Sequence, residues 1–193
     1  MDEKDANKNP TGRRVTTNDY SSADYYYVNK SSLPKVYGGF NTSLSWKGFD
    51  LSAIFAYSIG GYIYNRDITM ILHNGSLEGR DWSTEILKRW TPDNRNTDVP
   101  ALSTTTNNWN SASTRFLQNN SYMRLKNLTL SYNLPKQWIS KLSLSSVQVY
   151  VQGDNLFTIH RNQGLDPEQG ITGITYYRYP AMRTISGGIN VSF

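Results

Sequence analysis

Residues 36–59 alternate apolar and polar side chains with a period of two, and no other pattern in the sequence limits the fold as tightly. Phe40, Thr42, Leu44 and Trp46 share one face, and Asn41, Ser43, Ser45 and Lys47 take the other. Beyond Lys47-Gly48, the residues Phe49, Leu51, Ala53, Phe55, Tyr57 and Ile59 are opposed by Asp50, Ser52, Ile54, Ala56 and Ser58. Successive strand side chains point to opposite sides of a sheet. The pattern therefore predicts two strands joined by a turn of two or three residues at Lys47-Gly48, a hairpin. Each runs to about ten or twelve residues, longer than the usual five or six and suited to a tilted membrane crossing.

The same alternation closes the sequence. Ile185, Gly187, Ile189, Val191 and Phe193 fall on one face of a strand over residues 184–193, opposed by Thr184, Ser186, Gly188, Asn190 and Ser192. An alternating pattern that persists to a terminal aromatic suits a barrel wall with lipid outside and water inside. Two more strands are predicted over residues 122–133 and from Val147 to Phe157. In the first the register slips: Met123 and Leu125 have one parity, Leu128, Leu130 and Tyr132 the other. A bulge near Lys126-Asn127 reconciles them, with Arg124 and Lys126 turned to water. Residues 135–146 read as a short connection with one helical turn at 137–141.

Connections alternate in length: short at Lys47-Gly48, long over 61–119, short over 134–146, long over 158–180. Within the first long one, Asp81 to Trp90 reads as a short helix capped by Asp81 or Ser83 and stopped by Thr91-Pro92. The expectation is an all-β, antiparallel, up-and-down outer-membrane β-barrel segment with long extracellular loops. It has five strands, with a sixth candidate inside residues 13–30, too few to close a barrel. Residues 1–33 are a polar lead-in holding that candidate strand, and 34–193 form the barrel segment.

Composition leaves a second reading open. Hydrophobic residues make up 37% of the chain, yet it holds 14 tyrosines and 5 tryptophans. Such aromatics fit the girdles of outer-membrane barrels. They equally fit a soluble or cell-surface β-rich domain that stacks sugars on its rings. No segment approaches the roughly 20 apolar residues of a spanning helix. The net charge of +5 is scattered, with Arg13-Arg14 and Lys88-Arg89 as the adjacent basic pairs, so no nucleic-acid stripe forms. There is no cysteine, and the first residues lack the apolar core of a secretion signal.

Nothing in the sequence spells an enzyme, a cofactor site or a metal site. The two histidines, His73 and His160, fall in loops without ligand spacing and read as surface residues. Asp5 to Gly12 has the oxygen-rich look of a calcium loop, but Pro10 intrudes and Thr16 stands where the bidentate Glu belongs, so it reads as a turn. Asp166-Pro167-Glu168 likewise reads as a turn rather than a catalytic carboxylate pair. The loop aromatics Trp82, Trp90, Trp109, Tyr176 and Tyr177 are candidate ligand or lid contacts, set against ordinary loop packing.

An ordered series of short strings carries a family resemblance. Leu33-Pro-Lys-Val-Tyr-Gly-Gly-Phe40, Trp46-Lys-Gly-Phe-Asp-Leu51 and Arg89-Trp-Thr-Pro-Asp-Asn94 come first. Asn120-Ser-Tyr-Met-Arg-Leu-Lys-Asn-Leu-Thr-Leu-Ser-Tyr-Asn-Leu-Pro135, Asn155-Leu-Phe-Thr-Ile159 and Gly164-Leu-Asp-Pro-Glu168 follow. Tyr179-Pro180, Arg183-Thr184 and Ile189-Asn-Val-Ser-Phe193 complete the set. Over residues 33–193 the chain resembles the C-terminal end of SusC/RagA-type TonB-dependent transporters of Bacteroidetes-type bacteria.

That resemblance implies a plugged barrel of about 22 strands in the outer membrane. It implies a SusD-like lipoprotein lid, TonB acting through an N-terminal region absent here, and import of oligosaccharides or peptides. It also implies that Ile189, Val191 and Phe193 form a signal read by the barrel-assembly machinery, with membrane lipid against the apolar face. Five or six strands leave backbone groups unpaired in hydrocarbon, so the chain is expected to be the C-terminal portion of a longer polypeptide or a truncated reading frame.

Overall fold

Lys47 and Gly48 both take positive φ, at 47° and 88°. This is the conformation of a two-residue type I′ turn, whose twist matches that of the strands it joins. Gly48 carries the cost of the second position lightly because it has no Cβ. In a computed structural model of the chain, the residues described are 2–17, 19–73, 75, 77, 79–103, 108–168 and 170–193.

The elements in order are β1 (Asp2–Lys4), β2 (Pro10–Arg14), β3 (Val36–Trp46), β4 (Phe49–Ile59), β5 (Tyr62–Asn65) and α1 (Arg66–Ile71). Then come β6 (Leu117–Asn119), β7 (Tyr122–Asn133), α2 (Lys136–Ile139), β8 (Ser146–His160), β9 (Ile174–Thr175) and β10 (Thr184–Ser192), with several 3₁₀ turns between them. The chain divides into two units: one holds residues 1–30, 64–117 and 174–177, the other 31–63, 118–173 and 178–193.

The second unit is a five-stranded sheet in the order β10-β8-β7-β4-β3, antiparallel throughout and open at both edges. Its register stacks like with like. One row across the strands reads Leu44, Leu51, Leu130, Val151 and Gly187; the next along the same face reads Trp46, Phe49, Tyr132, Val149 and Ile189. The intervening row on the opposite face reads Ser45, Asp50, Ser131, Tyr150 and Gly188. Directly opposed side chains lie close enough to interact. Phe40 stacks on Phe55 with centroids 4.7 Å apart, and Phe49 meets Tyr132 at 4.5 Å. Such a ring pair adds about 0.5–1.5 kcal/mol beyond its buried area.

The predicted bulge is present. Leu125 pairs with Phe55 and Asn127 with Ile54, which leaves Lys126 as an extra residue against β4. Across the next interface, Leu125 pairs with Phe157 and Asn127 with Asp154, so β8 spends Asn155 and Leu156 where β7 spends Lys126. Asn155 absorbs the irregularity at φ 52°. The insertion returns Met123 and Leu125 to the face of Leu128 and Leu130.

Where the chain follows a regular period, the expected strands match the observed ones within a residue or two, except that β8 runs three residues past the expected Phe157, to His160. Elsewhere there are corrections. Among the described residues of 13–30 there is no sixth spanning strand; they hold the end of β2, which pairs with β1, and a 3₁₀ turn at Tyr20–Ser22. Residues 61–119 are more ordered than a loop. They form α1, with Asn65 accepting from the Ile68 N–H at 3.1 Å as its cap, and a small core of Leu72, Ile86 and Val99 flanked by Ile68 and Trp109. The helix expected between Asp81 and Trp90 is a single 3₁₀ turn, Thr84–Lys88, capped by Ser83. At 136–142 the expected helical turn is found. Asp5 Oδ1 accepts from the backbone N–H of Asn7 and Asn9, at 2.9 and 2.8 Å, and so organises the β1–β2 turn. Among the described residues, no helix is long and apolar enough to cross a membrane, which has no bearing on strands.

Lys126 is the extra residue of the bulge, so parity is tested in the regular run beyond it: deleting Thr129 makes Leu128 and Leu130 neighbours and puts them on opposite faces. The full-length protein carrying the Thr129 deletion is expected to lose its heat-modifiable folded band on unheated gels, while Lys126→Ala keeps it. Equal band intensity for both would contradict the register argument.

Candidate functional site

The sheet presents two chemically opposite faces. The apolar one is open: Leu44 is 66% exposed and Ile189 64%, and Phe40, Trp46, Leu51, Leu130, Val151 and Ile185 are exposed with them. These side chains do not gather into an interior. Neighbouring outer-face residues meet side by side and leave their tips outward.

The polar face is cross-linked. Asn133 Nδ2 donates to Asp50 Oδ2 at 2.7 Å, and Ser45 Oγ donates to Asp50 Oδ1 at 2.5 Å. Asn127 Nδ2 donates to Asp154 Oδ1 at 2.8 Å, and Gln152 Nε2 reaches the same carboxylate at 3.1 Å. Gln148 donates to Ser131 at 3.3 Å and accepts from Asn190 at 3.2 Å. A wall wet on this side satisfies its amides and carboxylates laterally, strand to strand.

At the end of this face near the bulge, the loop after β8 folds back over β7. Arg124 was expected to lie toward water; it is buried, its side chain only 4% exposed, because Asp166 and Glu168 close over it. Its Nη2 reaches Asp166 Oδ1 at 2.5 Å, its Nη1 reaches Glu168 Oε2 at 2.7 Å, and its Nε donates to Thr158 Oγ1 at 2.9 Å. Lys126 meets Glu168 at 2.7 Å. Burial alone would raise the Asp166 pKa. Backbone N–H donors from Ala181 and Glu168, together with the Arg124 guanidinium, outweigh it and hold the carboxyl below its ordinary value. Asn120 adds a further anchor by donating to the Pro167 carbonyl at 2.8 Å. Asp166-Pro167-Glu168 is thus a turn, as read, but one that neutralises a buried guanidinium.

The candidate loop aromatics fall in the first unit and do not converge on one site. Tyr176 and Tyr177 are exposed and lean on each other with ring centroids 4.3 Å apart. Arg66 lies over the Tyr176 ring at 4.8 Å, and Asp67 Oδ1 accepts from the Tyr177 N–H at 2.9 Å. Trp82 is occupied elsewhere, its Nε1 donating to His73 Nδ1 at 3.1 Å. His73 is therefore no surface residue: it is 1% exposed, covered by the Trp82 ring at 5.4 Å. His160 is exposed, as expected. Trp109 packs beside the small core under Arg115. Trp90 is exposed, and its backbone N–H is held by the Val99 carbonyl at 2.7 Å. Ile189 and Val191 lie on the outward row of β10, and Phe193 follows it, exposed. The Arg124 cluster was missed from sequence because its partners lie about forty residues apart; two basic residues in a strand reached by an Asp-Pro-Glu loop was the available signal.

No family model matches the chain. Among curated proteins it is similar to TonB-dependent receptor P3 of Formosa agariphila, 35% identical over 166 residues, covering 80% of this chain and 16% of that protein. It is similar also to TonB-dependent receptor P26 of the same organism, 31% identical over 182 residues, covering 89% of this chain and 18% of that one. SusC of Bacteroides thetaiotaomicron is 27% identical over 168 residues, covering 86% and 16%. Among solved structures, the RagAB peptide importer in its closed-closed state matches with a TM-score of 0.79 at 35% identity, over 99% of this chain and 20% of that one. The chain therefore spans less than a fifth of the length of these curated relatives.

Breaking the Arg124 cluster from one side leaves buried charge unpaired, which costs roughly 3–5 kcal/mol. Arg124→Met in the full-length protein is expected to release the 161–173 loop to limited proteolysis. Arg124→Met combined with Asp166→Leu should regain part of the protection, since an apolar replacement strands one charge fewer. Unchanged digestion of the single variant would show that the cluster does not anchor the loop.

Proposed function

The chain belongs to the TonB-dependent receptors of the SusC/RagA type, and on that premise we propose that it supplies barrel wall and outer loops to an importer of oligosaccharides or peptides in the outer membrane. The observation that carries this reading is the open apolar face: a five-stranded sheet leaves its Leu, Val, Ile and Phe side chains outward while its polar face is tied together by hydrogen bonds. In water such a face is a liability, whereas against acyl chains it is the expected outer surface of a barrel. On this reading residues 34–193 are barrel, residues 1–33 are a lead-in, and the open edges at β3 and β10 pair with strands elsewhere in the full protein. A SusD-like lipoprotein covers the mouth, and TonB acts through other parts of the polypeptide. No catalytic role is assigned.

Two finer assignments follow. The outward row Ile189 and Val191, with Phe193, is offered to the barrel-assembly machinery, which extends sheets by edge pairing. The exposed Tyr176–Tyr177 pair is the best placed of the loop aromatics to meet the lid or a ligand. Trp82, Trp90 and Trp109 serve it less directly, two of them through packing in their own unit.

The segment has no cysteine, so single cysteines can be placed without background from it. Spin labels at 44, 130 and 151 in the full-length protein in lipid should be reached by oxygen, and labels at 43, 129 and 152 by a water-soluble nickel relaxant. Loss of that alternation would remove the membrane reading. For the assembly signal, deleting Phe193 is expected to reduce heat-modifiable barrel in outer-membrane fractions several-fold; undiminished barrel would leave the terminal residues as plain wall.

A further inference from the structure

β8 outruns its neighbour. It pairs with β7 as far as His160 but with β10 only as far as Asp154. The side of Asn155–His160 that looks away from β7 therefore carries no sheet partner. Residues 178–183 run past it, tied by Asn155 Nδ2, which donates to the Met182 carbonyl at 3.2 Å. Between them opens a cleft of about 590 Å³, lined in part by Phe157, Leu165, Asp166, Pro180, Arg178 and Arg183.

The charge of this cleft is unbalanced. Asp166 is its one carboxylate, and it is already committed: Oδ1 accepts from Arg124 and the Glu168 N–H, and Oδ2 from the Ala181 N–H at 2.6 Å. Arg124, which also lines the cleft, is matched by Asp166 and Glu168. Arg178 and Arg183 form no ion pair among the described residues. Two guanidinium groups, each a planar fork suited to carboxylate, are thus left at the rim beside apolar wall.

We propose that this cleft takes an extended peptide bearing carboxylates, laid along the free edge of Asn155–His160 with its acidic groups on Arg178 and Arg183. The inference rests on the import reading above and names the substrate class for it. An unpaired strand edge offers N–H and C=O groups at peptide spacing, which is how a strand is added to a sheet. Leu165 and Pro180 offer apolar contact for alternate side chains. A sugar would want broad aromatic platforms, and the aromatic side chains lining the cleft are Phe157 and His160.

The test uses the full-length protein in detergent and a fluorescein-labelled Glu-Leu-Glu-Leu-Glu peptide. Gln-Leu-Gln-Leu-Gln, an oligogalacturonate and inorganic phosphate serve as competitors. The acidic peptide should bind about tenfold or more tighter than the neutral one, and added salt should weaken it. Arg178→Gln with Arg183→Gln should remove that preference, while Lys136→Gln, a charge lost elsewhere on the surface, should keep it. Equal binding of both peptides by the wild type, an unaffected double variant, displacement by oligogalacturonate or phosphate as readily as by acidic peptide, or no binding would each overturn the proposal. The wild-type comparison and its salt dependence decide the matter even if the double variant fails to fold. Spin-label alternation on the same preparation separates the two readings. If alternation holds and peptide binding fails, the cleft inference alone falls; if alternation fails, the importer reading falls with it.

Discussion

Every feature of the large sheet depends on keeping side-chain parity in step with backbone pairing over five strands. A strand sorts its side chains with a period of two, so a slip of one residue exchanges the faces along the whole strand. In this protein the rows hold: Leu44 to Gly187 on one side, Ser45 to Gly188 on the other. Backbone hydrogen bonds fix the strands in place, and the two solvents proposed for the two faces would fix which way the sheet looks.

The bulge is where this constraint is most strained and where the structure becomes specific. Moving from β4 to β7 to β8, the same level of the sheet contains no extra residue, then one, then two. The widening lets β8 diverge from β10 after Asp154 and gives the following loop room to return over Arg124. A buried guanidinium with two carboxylates is not a strong source of stability by itself, because desolvation offsets most of the attraction. Its effect is geometric: it pins the Asp166–Glu168 turn to a strand and, through the Ala181 N–H, fixes the approach to β10. The cleft is a consequence of that pinning.

The first unit follows different rules. It has no long alternation, and its order comes from caps and small contacts. Asn65 and Ser83 cap short helical turns, and Leu72, Ile86 and Val99 make a modest core. His73 and Trp82 show why such regions resist reading from sequence. A lone histidine in a polar loop looks exposed, yet an indole N–H nine residues away holds it inside.

What the sequence determined by itself was the sheet: strand bounds for β3, β4, β7 and β10, the Lys47-Gly48 turn, the parity break near Lys126, and the sorting of apolar from polar faces. These are local properties of period and turn chemistry, and they survive whatever surrounds them. Only the tertiary structure decided the rest: the burial of Arg124 and His73, the 3₁₀ turn in place of a helix at Thr84–Lys88, the absence of a spanning strand in the described part of residues 13–30, and the early departure of β10 from β8. These depend on what the fold brings alongside, whether a loop some forty residues on that closes over Arg124 or an indole nine residues from His73. Burial and pairing are properties of what lies nearby in space, and a period of two carries no information about that.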